Sequence, residues 1–118
     1  MLIAAQVVVA LIAFLHLYIL VLEMFLWDKP AGLRAFNLTP ERAASTKAMA
    51  GNQGLYNGFL AAGLLWGLLL GAHGTSVMLF FLGCIFVAGV YGSLTASRKI
   101  IFIQTVPATI GLALVALS

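Results

Sequence analysis

The stretch LIAAQVVVALIAFLHLYILVLEMFLW at residues 2–27 decides the fold, because it is a long apolar run in which Glu23 is the one charged residue. A helix rises about 1.5 Å per residue and crosses a hydrocarbon core of roughly 30 Å with about 20 apolar residues. Three further stretches reach or approach that length, at residues 51–71, 77–96 and 100–117. The sequence therefore predicts an all-α fold, an integral membrane four-helix bundle forming one domain over residues 1–118.

The composition agrees with a chain surrounded by lipid. Of the 118 residues, 64% are hydrophobic and 8% charged, against about half and a quarter in soluble domains. The apolar run after Met1 has no basic start and is too long for a signal-peptide core, so we expect it to remain as a span. Six basic residues divided between two connections make no stripe along a phosphate backbone, which argues against nucleic acid as a partner. A single cysteine, Cys84, excludes a disulfide and a cysteine-based metal site.

Basic residues set the predicted orientation. All six Lys and Arg lie in the connection at 28–50 or at 98–99, and short loops rich in Lys and Arg stay on the cytoplasmic side. With four spans these two connections share one face, so both termini are expected outside. Within the first connection, Thr39 and Pro40 read as the N-cap and first turn of a helix that runs into the second span.

Glycines at four-residue spacing predict close helix packing. The second span carries Gly54 and Gly58, then Gly63, Gly67 and Gly71. Helices associate in a bilayer mainly where small residues let the backbones approach. We also expect self-association into a homo-oligomer, because four thin helices do not line a wide pore alone.

The polar residues inside the spans fall in the cytoplasmic half. His16, Leu20, Glu23 and Trp27 recur at spacings of four, three and four, which is one face of an α-helix. A charged group in hydrocarbon costs a few kcal/mol, so it faces the bundle interior and pairs. We predict Glu23 and His16 as catalytic residues of an intramembrane pocket, with ligand-binding residues at the same depth: Trp27, Asn52, Gln53, Tyr56, Asn57, Tyr91 and Gln104.

Other interpretations of these residues remain open. Amides that hydrogen-bond across helices are common in membrane proteins and contribute roughly 1 kcal/mol each without any further role, and a neutral Glu23 held by amides is the structural alternative. Pro107, next to Gln104, is expected to bend the last span. No metal site is predicted, and the cofactor is unknown, although one axial histidine is enough for a haem and His16 leaves that open.

Several motifs resemble a known family. They are HLY at 16–18 followed by EMFLW at 23–27, NQGLYNGFLAAGL at 52–64, and Gln104 followed by Pro107 and Ala108. This pattern is similar to the bacterial domain-of-unknown-function thirteen-hundred-and-four family and covers nearly the whole chain. The resemblance implies a small four-span protein of the bacterial inner (plasma) membrane, and it does not imply an activity.

Three hypotheses for the function follow. The first is a cytoplasm-facing pocket that binds a small or lipophilic molecule, with proton transfer by Glu23 and His16, because a carboxylate in a poorly hydrated site can act as a general acid or base. The second is a small proton-coupled transporter or efflux subunit using the same carboxylate. The third is a structural or partner-binding membrane protein that uses its glycine faces. Whether the protein is an enzyme is left open.

Overall fold

The computed structural model describes all residues, 1–118, and every regular element in it is helical. Five α-helices follow one another, where four were expected: α1 (Ile3–Met24), α2 (Pro30–Phe36), α3 (Pro40–Leu69), α4 (Thr75–Thr95) and α5 (Val106–Ala116). A 3-10 helix, Gly71–His73, precedes α4, and a π-helix, Ile101–Thr105, leads into α5. The all-α class is confirmed.

Helix α1 ends three residues before the end of the apolar run, so Trp27 does not continue the helical face of Glu23. The amide of Leu26 donates to the Val21 carbonyl, five residues back. This bond makes the last turn wider than an α-helical turn, and the helix ends there. Pro30 then starts α2 at the position where its missing N–H is tolerated. The expected break at residues 28–32 is thus the start of an extra helix.

Helix α3 is continuous from the predicted N-cap to the end of the second apolar stretch. The Arg42 amide donates to Thr39 Oγ1 at 3.2 Å, which confirms the cap. The expected span start at residue 51 lies eleven residues inside the helix. Residues 41–50 contain neither Gly nor Pro and are rich in Ala, so nothing in them interrupts the helix.

The chain divides into two compact units, and residues 14–61 form one of them. This unit holds the C-terminal part of α1, all of α2 and the first part of α3. A Cβ added to Gly32 would collide with the backbone carbonyls of Leu26 and Trp27, so only glycine lets α2 lie against the end of α1. His16, Leu22 and Ala43 are buried here.

The other unit comprises residues 1–13 and 62–118. Helix α4 buries one face of residues at helical spacing, which are Met78, Leu82, Ile85 and Gly89. A side chain on Gly89 would meet Thr105, whose Oγ1 donates to the Phe86 carbonyl at 3.2 Å. The bend expected at Pro107 takes a different form: the π-helix supplies an extra residue in the turn before it, and Pro107 stands in the first turn of α5.

Two helices, α1 and α4, are long and apolar enough to cross a membrane, judged by length and composition. The segment Ile101–Ala116 is apolar and shorter.

Candidate functional site

Glu23 is placed by close contact between α1 and α3 within residues 14–61. It is the last residue but one of α1 and is half-buried. A Cβ built on Gly54 would lie 2.6 Å from Met24 Cγ, 3.1 Å from Glu23 Cβ and 3.2 Å from the Leu20 carbonyl oxygen. Because Gly54 has no side chain, the two helices approach closely enough for their polar groups to meet.

Asn57, one turn after Gly54 on α3, is the partner of the carboxylate. Its Nδ2 donates to Glu23 Oε1 at 2.6 Å and to the Gln53 backbone carbonyl at 3.2 Å. An ionised carboxylate only accepts hydrogen bonds, so the amide has to present its nitrogen. The second bond, back along the helix, fixes the amide in that orientation.

The carboxylate of Glu23 is held at one oxygen and is only half-buried. No buried side-chain oxygen or nitrogen in the chain lacks a hydrogen-bond partner. The exposed part of the Glu23 side chain is therefore available to a molecule outside the protein.

His16 shares α1 with Glu23 in a different environment. It is fully buried, whereas Glu23 is half-buried. Seven residues of helix separate the two, which is roughly 10 Å along the axis. The geometry joins Glu23 to Asn57 on α3, one oxygen of the carboxylate accepting from the amide.

The remaining predicted residues of α3 form a separate pair. Asn52 Nδ2 donates to the Tyr56 hydroxyl at 3.3 Å, and both side chains are exposed. The Tyr56 ring also lies 6.1 Å from that of Phe59. Gln53 contributes its backbone carbonyl to Asn57, and its side chain is exposed.

Trp27 belongs to the connection after α1. Its Nε1 donates to Thr46 Oγ1 at 3.0 Å, and its ring lies 4.7 Å from that of Phe36. These contacts tie α2 and the first turns of α3 to the end of α1. Nothing in the sequence indicated Thr46, because a threonine nineteen residues away shows no pattern with Trp27.

Tyr91 and Gln104 lie in the other unit, at residues 1–13 and 62–118. Tyr91 is exposed on α4, with 69% of its surface accessible. Gln104 is a half-buried residue of the π-helix. The contacts of Glu23 described above therefore come from residues 14–61 alone.

One ion pair is formed, and it does not involve Glu23. Lys47 Nζ lies 3.0 Å from Asp28 Oδ2 at the protein surface. The hydrogen bond from Lys47 holds the pKa of Asp28 below its ordinary value. No cluster of three or more His, Cys, Asp or Glu side chains that could hold a metal ion is present.

This arrangement can do two things chemically. The carboxylate can accept a hydrogen bond or a positive charge from a bound molecule, and it can also take up a proton. Transfer of a proton between Glu23 and His16 would need a water or a bound molecule to bridge the gap of two helical turns.

Comparisons with known proteins show which family the chain belongs to, and they assign no activity. Residues 10–116 match the family described as "Protein of unknown function (DUF1304)". The chain is 33% identical over 109 residues to "Uncharacterized protein YpaA" of Lactococcus lactis subsp. lactis (strain IL1403), covering 91% of this chain and 87% of the relative. No solved structure matches the chain.

The match corrects the family statement made from the motifs. The family of this chain is the one described as "Protein of unknown function (DUF1304)". Neither the family description nor the relative's name states a number of membrane spans, so four spans are not a property that the family match gives to this chain.

Proposed function

Because the chain belongs to the family described as "Protein of unknown function (DUF1304)", a description that names no activity, we propose a function from its own side chains. The protein is a four-span membrane protein that binds a small or lipophilic molecule at Glu23 and Asn57. The observation that carries this proposal is the half-buried carboxylate of Glu23, near the end of α1, that accepts a hydrogen bond from Asn57.

Exposed apolar side chains support the membrane location. On α1, Val7, Leu11, Phe14 and Val21 are between 40% and 62% exposed, and they follow one another at helical spacing. Similar side chains are exposed on α3, α4 and the last helical segment, for example Phe59, Phe80 and Phe102. Contiguous apolar surface of this kind is unfavourable in water and marks contact with lipid or with other chains.

The four segments that cross the bilayer in this proposal are α1, the apolar part of α3, α4 and residues 101–116. All basic residues then lie in connections on one face, which is cytoplasmic by the positive-inside rule. Both termini are outside, and the membrane is the bacterial inner membrane. Glu23 lies near the cytoplasmic end of α1, where a soluble or membrane-borne molecule can reach it.

A carboxylate at this depth argues for a role beyond packing. A charged residue at the centre of a membrane helix costs roughly 2.5 to 3.5 kcal/mol, less towards the ends. One amide bond to one oxygen does not replace the hydration of the whole group. A bound molecule that contacts the exposed part of the carboxylate offsets part of that cost, which links Glu23 to ligand binding.

Binding is better supported than catalysis or transport. Glu23 and His16 are separated by about two turns of α1, so proton transfer between them depends on what lies between them. The transporter hypothesis stays a prediction that shares the same carboxylate. The structural hypothesis has one observation in its favour, because the bond from Asn57 to Glu23 also joins α3 to α1.

The experiment compares Glu23→Gln with the wild type. The glutamine side chain keeps an oxygen that accepts from Asn57, so the join between the helices remains while the charge is lost. Purified protein is incubated with fractionated membrane lipids, and its thermal stability is measured. We expect at least one fraction to stabilise the wild type and not Glu23→Gln.

Glu41→Gln is the matched control, because Glu41 is an exposed carboxylate in the first turn of α3. It should behave like the wild type with every fraction. Equal stabilisation of the wild type and Glu23→Gln, or no stabilisation by any fraction, would refute binding at this site and leave the structural role.

A further inference from the structure

We propose that a second copy of this chain docks on an apolar groove along the outer side of α4, so that the two α4 helices pack in parallel, face to face. The proposal shares with the proposed function only the membrane location and does not depend on ligand binding at Glu23. Its basis is the shape of the groove, one glycine without a packing role inside the chain, and the length and neutrality of the face.

The groove is formed by α4 alone. Its volume is about 770 Å³. Its lining includes three small residues, and three longer side chains that are between 65% and 69% exposed: Gly83, Cys84 and Ala88, and Phe80, Val87 and Tyr91. Because all of them belong to one helix, no second helix of the chain closes the groove. A small-molecule site encloses most of its ligand, so this open groove suits a neighbouring helix better than a small molecule.

Gly83 has no packing role inside the chain. A Cβ built on Gly83 meets nothing within 4 Å, whereas a Cβ on Gly89 or Gly92 of the same helix would meet Thr105 or Ile100. The φ angle of Gly83 is not positive, so the backbone does not require glycine there either. Glycine inside a helix is less favourable than alanine. Small residues let helices approach closely in a bilayer, so a helix from outside the chain gives Gly83 the role that it lacks within it.

The exposed face of α1 differs from this groove. It carries large side chains at helical spacing, at least half exposed, and α1 contains no glycine: Val7, Leu11, Phe14 and Tyr18. Flexible lipid chains cover such a surface without a matching shape. An indented, rigid groove gains more van der Waals contact from a rigid helix that fills it.

The face is long enough for a stable helix pair. Exposed or half-buried residues recur on it at alternating spacings of three and four, at positions 77, 80, 84, 87, 91 and 94. This is the seam of two helices that cross at a small angle. From Val77 to Leu94 it extends roughly 25 Å along the axis, which is most of a hydrocarbon core of roughly 30 Å.

Symmetry favours a second copy as the occupant. Two copies inserted in the same direction are related by a two-fold axis along the membrane normal, so each seam residue lies near its own counterpart. Charged residues would repel each other across that axis, and residues 75–95 contain none. Each copy also fills the groove of the other with its own α4, so one contact covers both grooves.

Cys84 reports on this contact, because it is the single cysteine of the chain, is free, and lies in the groove. Membranes from bacteria that make the full chain at a low level are oxidised with copper phenanthroline and analysed without reductant. A disulfide requires Cβ atoms about 3.5 to 4.5 Å apart, so we expect a dimer joined through Cys84 in the wild type. The control combines Cys84→Ser with Phe86→Cys, which moves the thiol about 200° around α4 to another exposed position, and it should give far less dimer.

Gly83→Leu then tests the groove itself. Leucine at this position clashes with nothing in its own chain, so thermal stability should be kept, while overpacking of the contact should weaken dimerisation about tenfold to a hundredfold. Gly51→Leu is the matched control, because a Cβ on Gly51 also meets nothing within 4 Å and this residue lies on α3. Its yield of the Cys84 dimer should equal that of the wild type.

Each other outcome overturns the proposal. A groove covered by lipid gives no Cys84 dimer, or no more than the Phe86→Cys control. A groove covered by a different protein gives a disulfide product that mass spectrometry identifies as mixed. A dimer yield that Gly83→Leu leaves unchanged places the contact elsewhere. Should Gly83→Leu fail to fold, the comparison of Cys84 with Phe86→Cys still decides, and none of these results bears on Glu23.

Discussion

Replacing Gly54 by alanine tests the close approach of α1 and α3 on which the site depends. The new Cβ would lie 2.6 Å from Met24 Cγ, which is the middle of a flexible side chain and can move. It would also lie 3.2 Å from the Leu20 carbonyl oxygen, which is backbone and moves only with the helix. The helices therefore have to separate by a few tenths of an ångström at the position where Asn57 reaches Glu23.

The magnitude follows from two opposing terms. Exchanging Gly for Ala inside a helix contributes about 1 kcal/mol of stability, whereas overpacking a close contact costs about 1 to 3 kcal/mol. For Gly54→Ala we expect a net loss of up to about 2 kcal/mol. At Gly51, on the same helix, a Cβ meets nothing within 4 Å, so Gly51→Ala should gain up to about 1 kcal/mol.

Gly58→Ala completes the series. Its Cβ would lie 2.6 Å from Leu20 Cδ1, the far end of a side chain that can rotate, and the next atom is 4.0 Å away. The change should stay within about 1 kcal/mol of the wild type. Reversible unfolding in mixed detergent micelles gives the three free energies of unfolding. Equal stability of Gly54→Ala and Gly51→Ala would show that α1 and α3 do not approach as described.

Three further predictions concern other contacts. Thr105→Val removes the hydroxyl that donates to an α4 carbonyl and should lower the free energy of unfolding by about 1 kcal/mol; an unchanged value in the same unfolding assay would contradict that bond. Trp27→Phe keeps the ring and loses the bond to Thr46, so proteolysis within residues 28–39 should become faster, while unaltered cleavage would mean that this bond does not hold the connection. Because Lys47 lowers the folded-state pKa of Asp28, the pair adds stability above the ordinary aspartate pKa and loses it as the pH falls through the lower folded value. Acid titrations of thermal stability should therefore be flatter for Asp28→Asn, and identical curves would count against the pair.

The sequence predicted those parts of the fold that depend on local chemistry. Thr39 and Pro40 indicated the start of α3, because a side-chain acceptor and a residue without an N–H satisfy the first turn of a helix wherever it lies. The apolar runs predicted the helical class. The short helix α2 was missed because Pro30 was interpreted as a break, although proline also starts helices.

The candidate site was only partly predictable. The sequence indicated that Glu23 would have an amide partner, since a lone carboxylate in an apolar helix is costly. It offered Asn52, Gln53, Asn57 and Gln104 equally, because spacing along one helix contains no information about the rotation of another. In the structure Asn57 donates to Glu23, and Asn52 donates to the Tyr56 hydroxyl.

What the sequence alone determined is the set of helices and the apolar surface they present, because helix propensity, caps and hydrophobicity act within a few residues. Only the tertiary structure decided which polar groups meet, since hydrogen bonds form over about 3 Å and that distance depends on how closely Gly54 lets α1 and α3 pack. The same packing determined that Asn57 holds one oxygen of Glu23, which is a property of two helices together and of neither sequence segment by itself.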